Sequence, residues 1–485
     1  MLSLRRINKI KGKNMKFTKL SLIAAIAASS AFAGGDIAPV EPAPVVVETT
    51  SPWSFSGDAK LYYSANDRGE AVDLFDQAGA AGQAAVSADI GYAINSNWKV
   101  NFGLTGLATL GLDDSVVSGV WLYAGADAIN NPAVGPFSSV GDALWIDTFN
   151  VTGTAFDGKL TMVLGRQMLD TPLAFSETWN IAPNTFDAAV AIAKPLDNVS
   201  LIAGYIYDGN GNGPRITTFD GEGNFNGLYT GQASAGGFTG SSGYFPVLGI
   251  DKGAWTVAAV ATAGGVTGQL WYYDVMDVAQ AVWVQADTEI SGFTLGAQYS
   301  WITADDTLVN KAGDIFEDSS AWAVKAGYKL DAVNLWAAYS DVDDTAAGKN
   351  AITVSNTATM LSGAGWGGRG ISGQSKLYTE AWWNYGYVGQ AGATTFAVGA
   401  DYTLGNISFM NDTKLSAQYT SVSDAKTFLS GNDNTTDMDE LTLLAGTNFY
   451  GVDAQVAYIY TDRSETNTNL DGQWNTVQLY LTYNF

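Results

Sequence analysis

Apolar and polar residues alternate with period two along most of this chain. In the run 293–301, Phe293, Leu295, Ala297, Tyr299 and Trp301 alternate with Thr294, Gly296, Gln298 and Ser300. Trp322, Val324, Ala326, Tyr328 and Leu330 likewise oppose Lys325, Gly327 and Lys329. Phe396, Val398, Ala400, Tyr402 and Leu404 oppose Gly399, Asp401 and Thr403. Near the front, Phe55, Gly57, Ala59, Leu61 and Tyr63 alternate with Ser56, Asp58, Lys60 and Tyr62. At the end, Val477, Leu479, Leu481, Tyr483 and Phe485 alternate with Gln478, Tyr480, Thr482 and Asn484. Period two is the side-chain repeat of a strand whose faces meet different surroundings.

The chemistry of the faces separates two all-β readings. A soluble sandwich packs one face and covers the other with charge. Here the polar face is rich in Gly, Ser, Thr, Asn and Gln, and the apolar face tends to finish on Tyr, Trp or Phe. That pattern predicts a transmembrane antiparallel β-barrel, with lipid outside, aromatic girdles at the interfaces and water inside. Closure pairs every backbone N–H and C=O within the wall, which hydrocarbon requires.

The connections alternate too. Short turns with Asp, Asn or Gly are expected at 95–97, 156–158, 196–198, 291–292, 330–332 and 450–451. Long polar connections fall at 66–80, 111–142, 168–185, 209–250, 304–320, 343–393, 422–437 and 462–472. Short periplasmic turns opposite long extracellular loops are the layout of outer-membrane barrels, and both chain ends on one side make the strand number even. The stretch 243–275 is therefore read as two strands, 254–262 and 268–276. The total is about 18 strands, within 16–20, a size that leaves an aqueous lumen.

Composition narrows the chemistry. Only 15% of the 485 residues are charged, and the chain has no cysteine and no histidine. A disulfide, a thiolate nucleophile and a histidine base are all excluded. Barrel hydrolases that rest on histidine are therefore excluded, and no spacing of carboxylates singles out a catalytic pair, so an enzyme is not expected.

Residues 1–33 read as a signal peptide, with a basic segment, a short apolar run and Ala31-Phe32-Ala33 as the cleavage site. Residues 34–52, with Pro39, Pro42 and Pro44, read as a Pro-rich periplasmic lead-in, and 53–485 as the barrel. Without 1–33 the chain keeps 17 Lys+Arg against 48 Asp+Glu. Such acidity disfavours nucleic acid and favours cations.

The closing Phe485 resembles the C-terminal signal read by the outer-membrane assembly machinery. Further motifs lie in 163–190: Gly165-Arg166-Gln167, Asp170-Thr171-Pro172 and Pro183-Asn184-Thr185-Phe186-Asp187-Ala188. They resemble the strand, constriction loop and strand of OprD-like porins, close to the major outer-membrane porins of epsilonproteobacteria. The segment 270–287 is similar to a second part of that family. The resemblance implies a porin of the cell outer membrane, embedded in lipid and lipopolysaccharide, that passes ions and small hydrophilic solutes and commonly forms a homotrimer. It implies that loop 168–185 folds into the lumen and that Arg166, Asp170, Glu177 and Asp187 lie at the pore constriction. An ordinary turn remains an alternative for Asp170-Thr171-Pro172.

Strict alternation would aim Arg166 at lipid with Leu160, Met162 and Leu164, at a midplane cost of about 2–4 kcal/mol. The strand is therefore expected to end or bulge before it. Lys60, Lys99, Lys325, Lys329 and Lys414 are expected on the lumen wall with Asp58, Asp89, Asp187, Asp401 and Asp453. After residue 33 the arginines are only Arg68, Arg166, Arg215, Arg369 and Arg463. They form no row of the kind that guides carboxylates in OprD-like channels. Weak cation preference is the expectation; adhesion or ligand binding by the long loops, or a substrate-specific channel, are the alternatives.

No cofactor is expected. Asp208, Asn210 and Asn212 open like a Ca2+ loop, but Phe219 stands where a bidentate Glu belongs. Asp433, Asp437, Asp439 and Glu440 offer a second place for Ca2+ or bridged lipopolysaccharide; a solvated acidic loop is the simpler reading.

Overall fold

A computed structural model describes residues 51–68, 72–76, 79–113, 143–179, 181–209, 215–219, 225–230, 252–312, 316–356, 374–429, 432–466 and 471–485. Residues 1–50, and with them the expected signal peptide and most of the lead-in, lie outside the described residues, as does most of the Ca2+-like run.

Eighteen strands form one antiparallel sheet closed on itself. They are β1 (Trp53–Asn66), β2 (Ala80–Ala93), β3 (Trp98–Asp113), β4 (Ala143–Ala155), β5 (Leu160–Gln167), β6 (Phe186–Leu196), β7 (Val199–Gly209), β10 (Ala254–Ala263), β11 (Val266–Val275), β12 (Ala279–Ile290), β13 (Phe293–Ala304), β15 (Ser319–Leu330), β16 (Val333–Val342), β18 (Thr394–Ile407), β19 (Met410–Leu429), β20 (Asn432–Phe449), β21 (Val452–Glu465) and β22 (Gly472–Asn484). The remaining strands lie in the loops: a hairpin of β8 (Arg215–Phe219) with β9 (Phe225–Thr230), and a short parallel pair of β14 (Phe316–Glu317) with β17 (Asn350–Ala351). A seven-residue helix, α1 (Asp306–Ala312), shares that rim.

The first and last strands close the ring. Asp58 pairs with Asn484 and Asn66 with Thr476. Phe485 extends the seam, exchanging two backbone hydrogen bonds of 2.9 Å with Gly57.

The alternation fixes which way each face looks. Phe293, Leu295, Tyr299 and Trp301 are exposed, while Gln298 and Ser300 are buried on the inner face of the same strand. Trp53, Phe55, Tyr92, Trp98, Phe293 and Tyr328 are exposed near the short-turn end. Tyr207, Trp255, Trp301, Trp322 and Phe396 are exposed near the other. These two girdles bracket an exposed band that includes Leu295, Val324 and Val398. A band of that kind is stable only against acyl chains. Some girdle rings also contact one another across strands, as in Phe293–Tyr328 at 4.6 Å and Tyr205–Trp255 at 4.5 Å.

All six expected short turns occur, and two more join β10 to β11 at Gly264-Gly265 and β18 to β19 at Ser408-Phe409. Several turn residues adopt left-handed backbone: Asp157 (φ 55°), Asp331 (φ 47°) and Tyr450 (φ 50°). The expected loops at 422–437 and 462–472 are shorter than the sequence suggested. β19, β20 and β21 run on past the membrane as paired strands, because the Thr- and Ser-rich segments there can pair with one another.

Candidate pore constriction

Among the described residues two loops cross the lumen, where the sequence pointed to one. The first, 168–185, links β5 to β6. The second, described over 374–393, precedes β18.

The first loop folds on itself before it meets anything else. The Thr171 backbone N–H donates to the Ala174 carbonyl at 3.1 Å, and the Ser176 N–H to the Leu169 carbonyl at 2.7 Å. The Glu177 N–H donates to the Asn184 side-chain carbonyl at 2.7 Å. Leu173, Ala174 and Phe175 are fully buried, so this segment packs inside the barrel and is not a surface turn. Tyr273, on the inner face of β11, accepts at its hydroxyl oxygen from the Leu173 N–H at 3.4 Å.

Arg166 and Asp187 form the root of this loop. They face each other across β5 and β6 as direct register partners. The guanidinium Nε and Nη2 donate to Asp187 Oδ1 and Oδ2, each at 2.9 Å, and Nη1 donates to the Ile146 carbonyl at 3.0 Å. Arg166 is only 7% exposed, so the lipid-facing position that alternation predicts is not the one it takes. The mechanism differs from the expected one. β5 neither ends nor bulges before Arg166; its register with β4 and β6 is continuous. Instead Gly165 takes φ +119°, and a Cβ there would collide with the Phe149 carbonyl oxygen. A bidentate, charge-assisted pair then offsets burial of the guanidinium.

Asp170 and Glu177 meet the second loop rather than each other. Lys376 binds Asp170 at 3.0 Å and lies 4.5 Å from the centre of the Phe175 ring. Asn356, fully buried in the same connection as Lys376, binds the first loop's backbone from both sides. Its side-chain carbonyl accepts from the Phe175 N–H at 3.2 Å, and its amide donates to the Phe175 carbonyl at 2.7 Å and to Glu177 Oε1 at 3.2 Å.

The second loop is held by the wall. Gln298 donates to the Lys376 carbonyl at 2.9 Å and accepts from the Tyr378 N–H at 3.1 Å. Tyr378 also donates to Asp287. Gln418 donates to the Glu380 carbonyl at 2.7 Å, and Gln478 accepts from the Trp382 indole at 3.3 Å. The main fixing is Glu440 on β20, 1% exposed. It accepts from the backbone N–H groups of Trp382 (2.8 Å), Trp383 (3.2 Å) and Asn384 (2.7 Å), and from the Asn384 side chain (2.8 Å). The expected acidic loop is therefore corrected: Asp433, Asp437, Asp439 and Glu440 all lie on strand β20. Glu440 points inward because the strand's two-residue period puts it on the face of Thr442 and Met438.

Glu380, on the second loop, has an altered proton affinity. Burial raises it well above the ordinary carboxylate range, the charges of Glu177 and Glu440 add to that, and hydrogen bonds from Ser375 oppose it. Its Oε1 is buried without a hydrogen-bond partner, as fits a neutral carboxyl.

The wall positions fall as follows. Lys60 pairs with Asp58 at 3.5 Å, and Asn334 donates to Asp401 at 3.0 Å. Lys325 lies 5.6 Å from both the Trp336 and Tyr378 rings, which places it in the lumen beneath the second loop. Lys329 pairs with Glu289 at 2.5 Å in the exposed turn region, and Lys414 is exposed near the same end. Asp89 and Asp147 both lean into the space that a Cβ on Gly103 would fill, with Lys99 close by. Among the described residues no group of three or more acidic side chains is arranged to hold a metal ion.

No protein family matches this sequence, and no curated protein matches it. Solved structures do. Acinetobacter baumannii OccAB4 is similar at TM-score 0.60 and 13% identity, over 90% of this chain and 98% of that one. Pseudomonas aeruginosa OpdK, solved with vanillate, is similar at TM-score 0.58 and 13% identity, over 89% and 98%. Pseudomonas aeruginosa OccK8 (OprE) is similar at TM-score 0.60 and 13% identity, over 89% and 98%. At that identity the likeness is one of fold, and the wall is that of a multi-pass outer-membrane barrel.

Proposed function

We propose that this chain is an OprD-like porin that passes small hydrophilic solutes and ions through the outer membrane. The carrying observation is a barrel of 18 strands, a size too wide for the wall's own side chains to fill, narrowed among the described residues by two hydrogen-bonded loops. In this reading Arg166 and Asp187 set the base of the constriction, and Asp170 and Glu177 fix its position through Lys376 and Asn356. Lys60, Asp89, Lys99, Lys325 and Asp401 line the water path. Phe485 serves assembly as well as closure. Lipid and lipopolysaccharide surround the wall, and homotrimers are the assembly that fits this class. The excess of acidic residues gives weak cation preference. No catalytic step belongs to this reading.

The test is conductance in planar bilayers with graded neutral solutes, for the full chain and for a deletion of 169–184. Steady ohmic conductance is expected, and the deletion raises both conductance and size cut-off. An insulating wild-type barrel would overturn the porin reading and favour an adhesive one. An anion-selective reversal potential would overturn the charge preference alone.

A further inference from the structure

The two lumenal loops are buried along most of their length, and the partly open stretches at their middles meet. Along the first loop, Leu173 to Glu177 are buried, then Thr178 is exposed and Trp179 half-buried. Along the second, Leu377 to Ala381 and Gly386 to Ala391 are buried, and Trp382 to Tyr385 between them are half-buried. These two partly open stretches touch: Trp179 lies 5.9 Å from Trp383 and 5.4 Å from Tyr385, ring centre to ring centre. The free edge of the constriction is therefore one aromatic lip contributed by both loops.

The wall continues that surface. Trp382 binds Gln478 on β22. The next inward residue on that strand, Tyr480, packs against Tyr62 of β1 at 4.7 Å. From Tyr62 the inward positions toward the short turns are Lys60 and Asp58, about 7 Å apart per pair of residues in an extended strand. Beside them on β2 to β4 stand Asp89, Lys99 and Asp147. Gly103 lets the two carboxylates approach one another, where any larger residue would occupy the space between them. A solute leaving the aromatic lip thus meets a patch in which three carboxylates outnumber two ammonium groups, all of them partly exposed.

Aromatic faces attract flat apolar groups and cations, and do not attract anions. Carboxylates in a confined lumen reinforce the same sign. Building on the porin reading, we propose that the channel favours small organic cations that carry a flat apolar group. They slide along Trp179, Trp383 and Tyr385 and pass the Asp58, Asp89 and Asp147 wall.

The experiment uses the full chain in planar bilayers in KCl, with benzyltrimethylammonium, tetramethylammonium and benzenesulfonate as probes. Benzyltrimethylammonium is expected to interrupt the current at about tenfold lower concentration than tetramethylammonium, and benzenesulfonate least of all. Trp383→Leu removes the advantage of the benzyl group, and Asp89→Asn with Asp147→Asn narrows the gap between benzyltrimethylammonium and benzenesulfonate. Equal block by all three probes, or an order unchanged by both variants, would overturn the proposal. Because the chain has no cysteine, Asn101→Cys adds a unique thiol on this wall as a second measurement. A cationic methanethiosulfonate should reduce its conductance, and no change would place the path elsewhere. Steady KCl conductance without solute preference defeats this inference only; no conductance at all defeats the porin reading beneath it.

Discussion

The two loops that narrow the lumen differ in how much of their course the wall sets. Loop 168–185 carries its own instructions: its turn closes through Thr171 and Ala174, and its neck through Leu169, Ser176 and Asn184. Loop 374–393 also turns locally, the Glu380 N–H donating to the Leu377 carbonyl and the Tyr387 N–H to the Asn384 carbonyl, but it takes its course across the lumen from Gln298, Gln418, Glu440 and Gln478 on the wall. A self-folded loop needs a short local motif. A templated loop needs acceptors and donors at distant positions, each ordinary in its own strand.

That contrast can be broken most directly at Glu440. Glu440→Ala leaves the backbone N–H groups of Trp382, Trp383 and Asn384 without their acceptor, at a cost of about 3 kcal/mol. The second loop should detach while the first stays in place. Single-channel recordings would then show higher, noisier conductance, and proteolysis would cut within 374–393 but not within 168–185. Equal protection of both loops would show that the second is not wall-templated.

Asn356→Ala is the intermediate case. It removes the amide that binds Phe175 and Glu177 and costs about 1.5 kcal/mol. Each loop keeps its own fixings, so the barrel's melting should barely move while the loops lose their coordination. Brief independent conductance steps in place of a single level are the expected readout.

The smallest effect concerns Glu380. Its carboxyl has a raised proton affinity in the folded loop, so the folded state holds a proton that the unfolded loop releases at lower pH. The stabilisation is complete below the ordinary Glu range and declines as pH rises from there through the folded value. Loop noise should therefore grow between acid and alkaline pH, and Glu380→Gln should flatten that dependence. A wild-type channel as quiet at pH 9 as at pH 5 would contradict it.

Legibility in the sequence followed the same division. The outer wall could be read directly, because lipid imposes one rule on every strand and Phe293, Leu295 and Tyr299 obey it. The short turns could be read from Asp, Asn and Gly, since left-handed backbone admits few other residues cheaply. The inward course of loop 168–185 was legible only through the resemblance of Asp170-Thr171-Pro172 and Pro183-Asn184-Thr185 to the motifs of OprD-like porins, since the residues alone also fit an ordinary turn. The inward course of 374–393 was not legible, because nothing in Gln298 or Gln418 alone distinguishes a loop anchor from a hydrated wall residue. Glu440 was misread for a related reason: its acidic neighbours suggested solvent, whereas the strand period places it inside. Arg166 was expected to avoid lipid, but the means, a positive φ at Gly165, is a backbone property that side-chain periodicity does not report.

The seam between β1 and β22 carries a consequence for the life of the protein before it is finished. Until Asp58 meets Asn484 and Asn66 meets Thr476, the sheet is an open ribbon with two unsatisfied borders, each able to recruit a stranger. Joining residues so far apart in the chain is also the step that forfeits the most chain freedom. One zipper line thus separates an adhesive intermediate from an inert cylinder, and a chaperone for this polypeptide has most to do at that line.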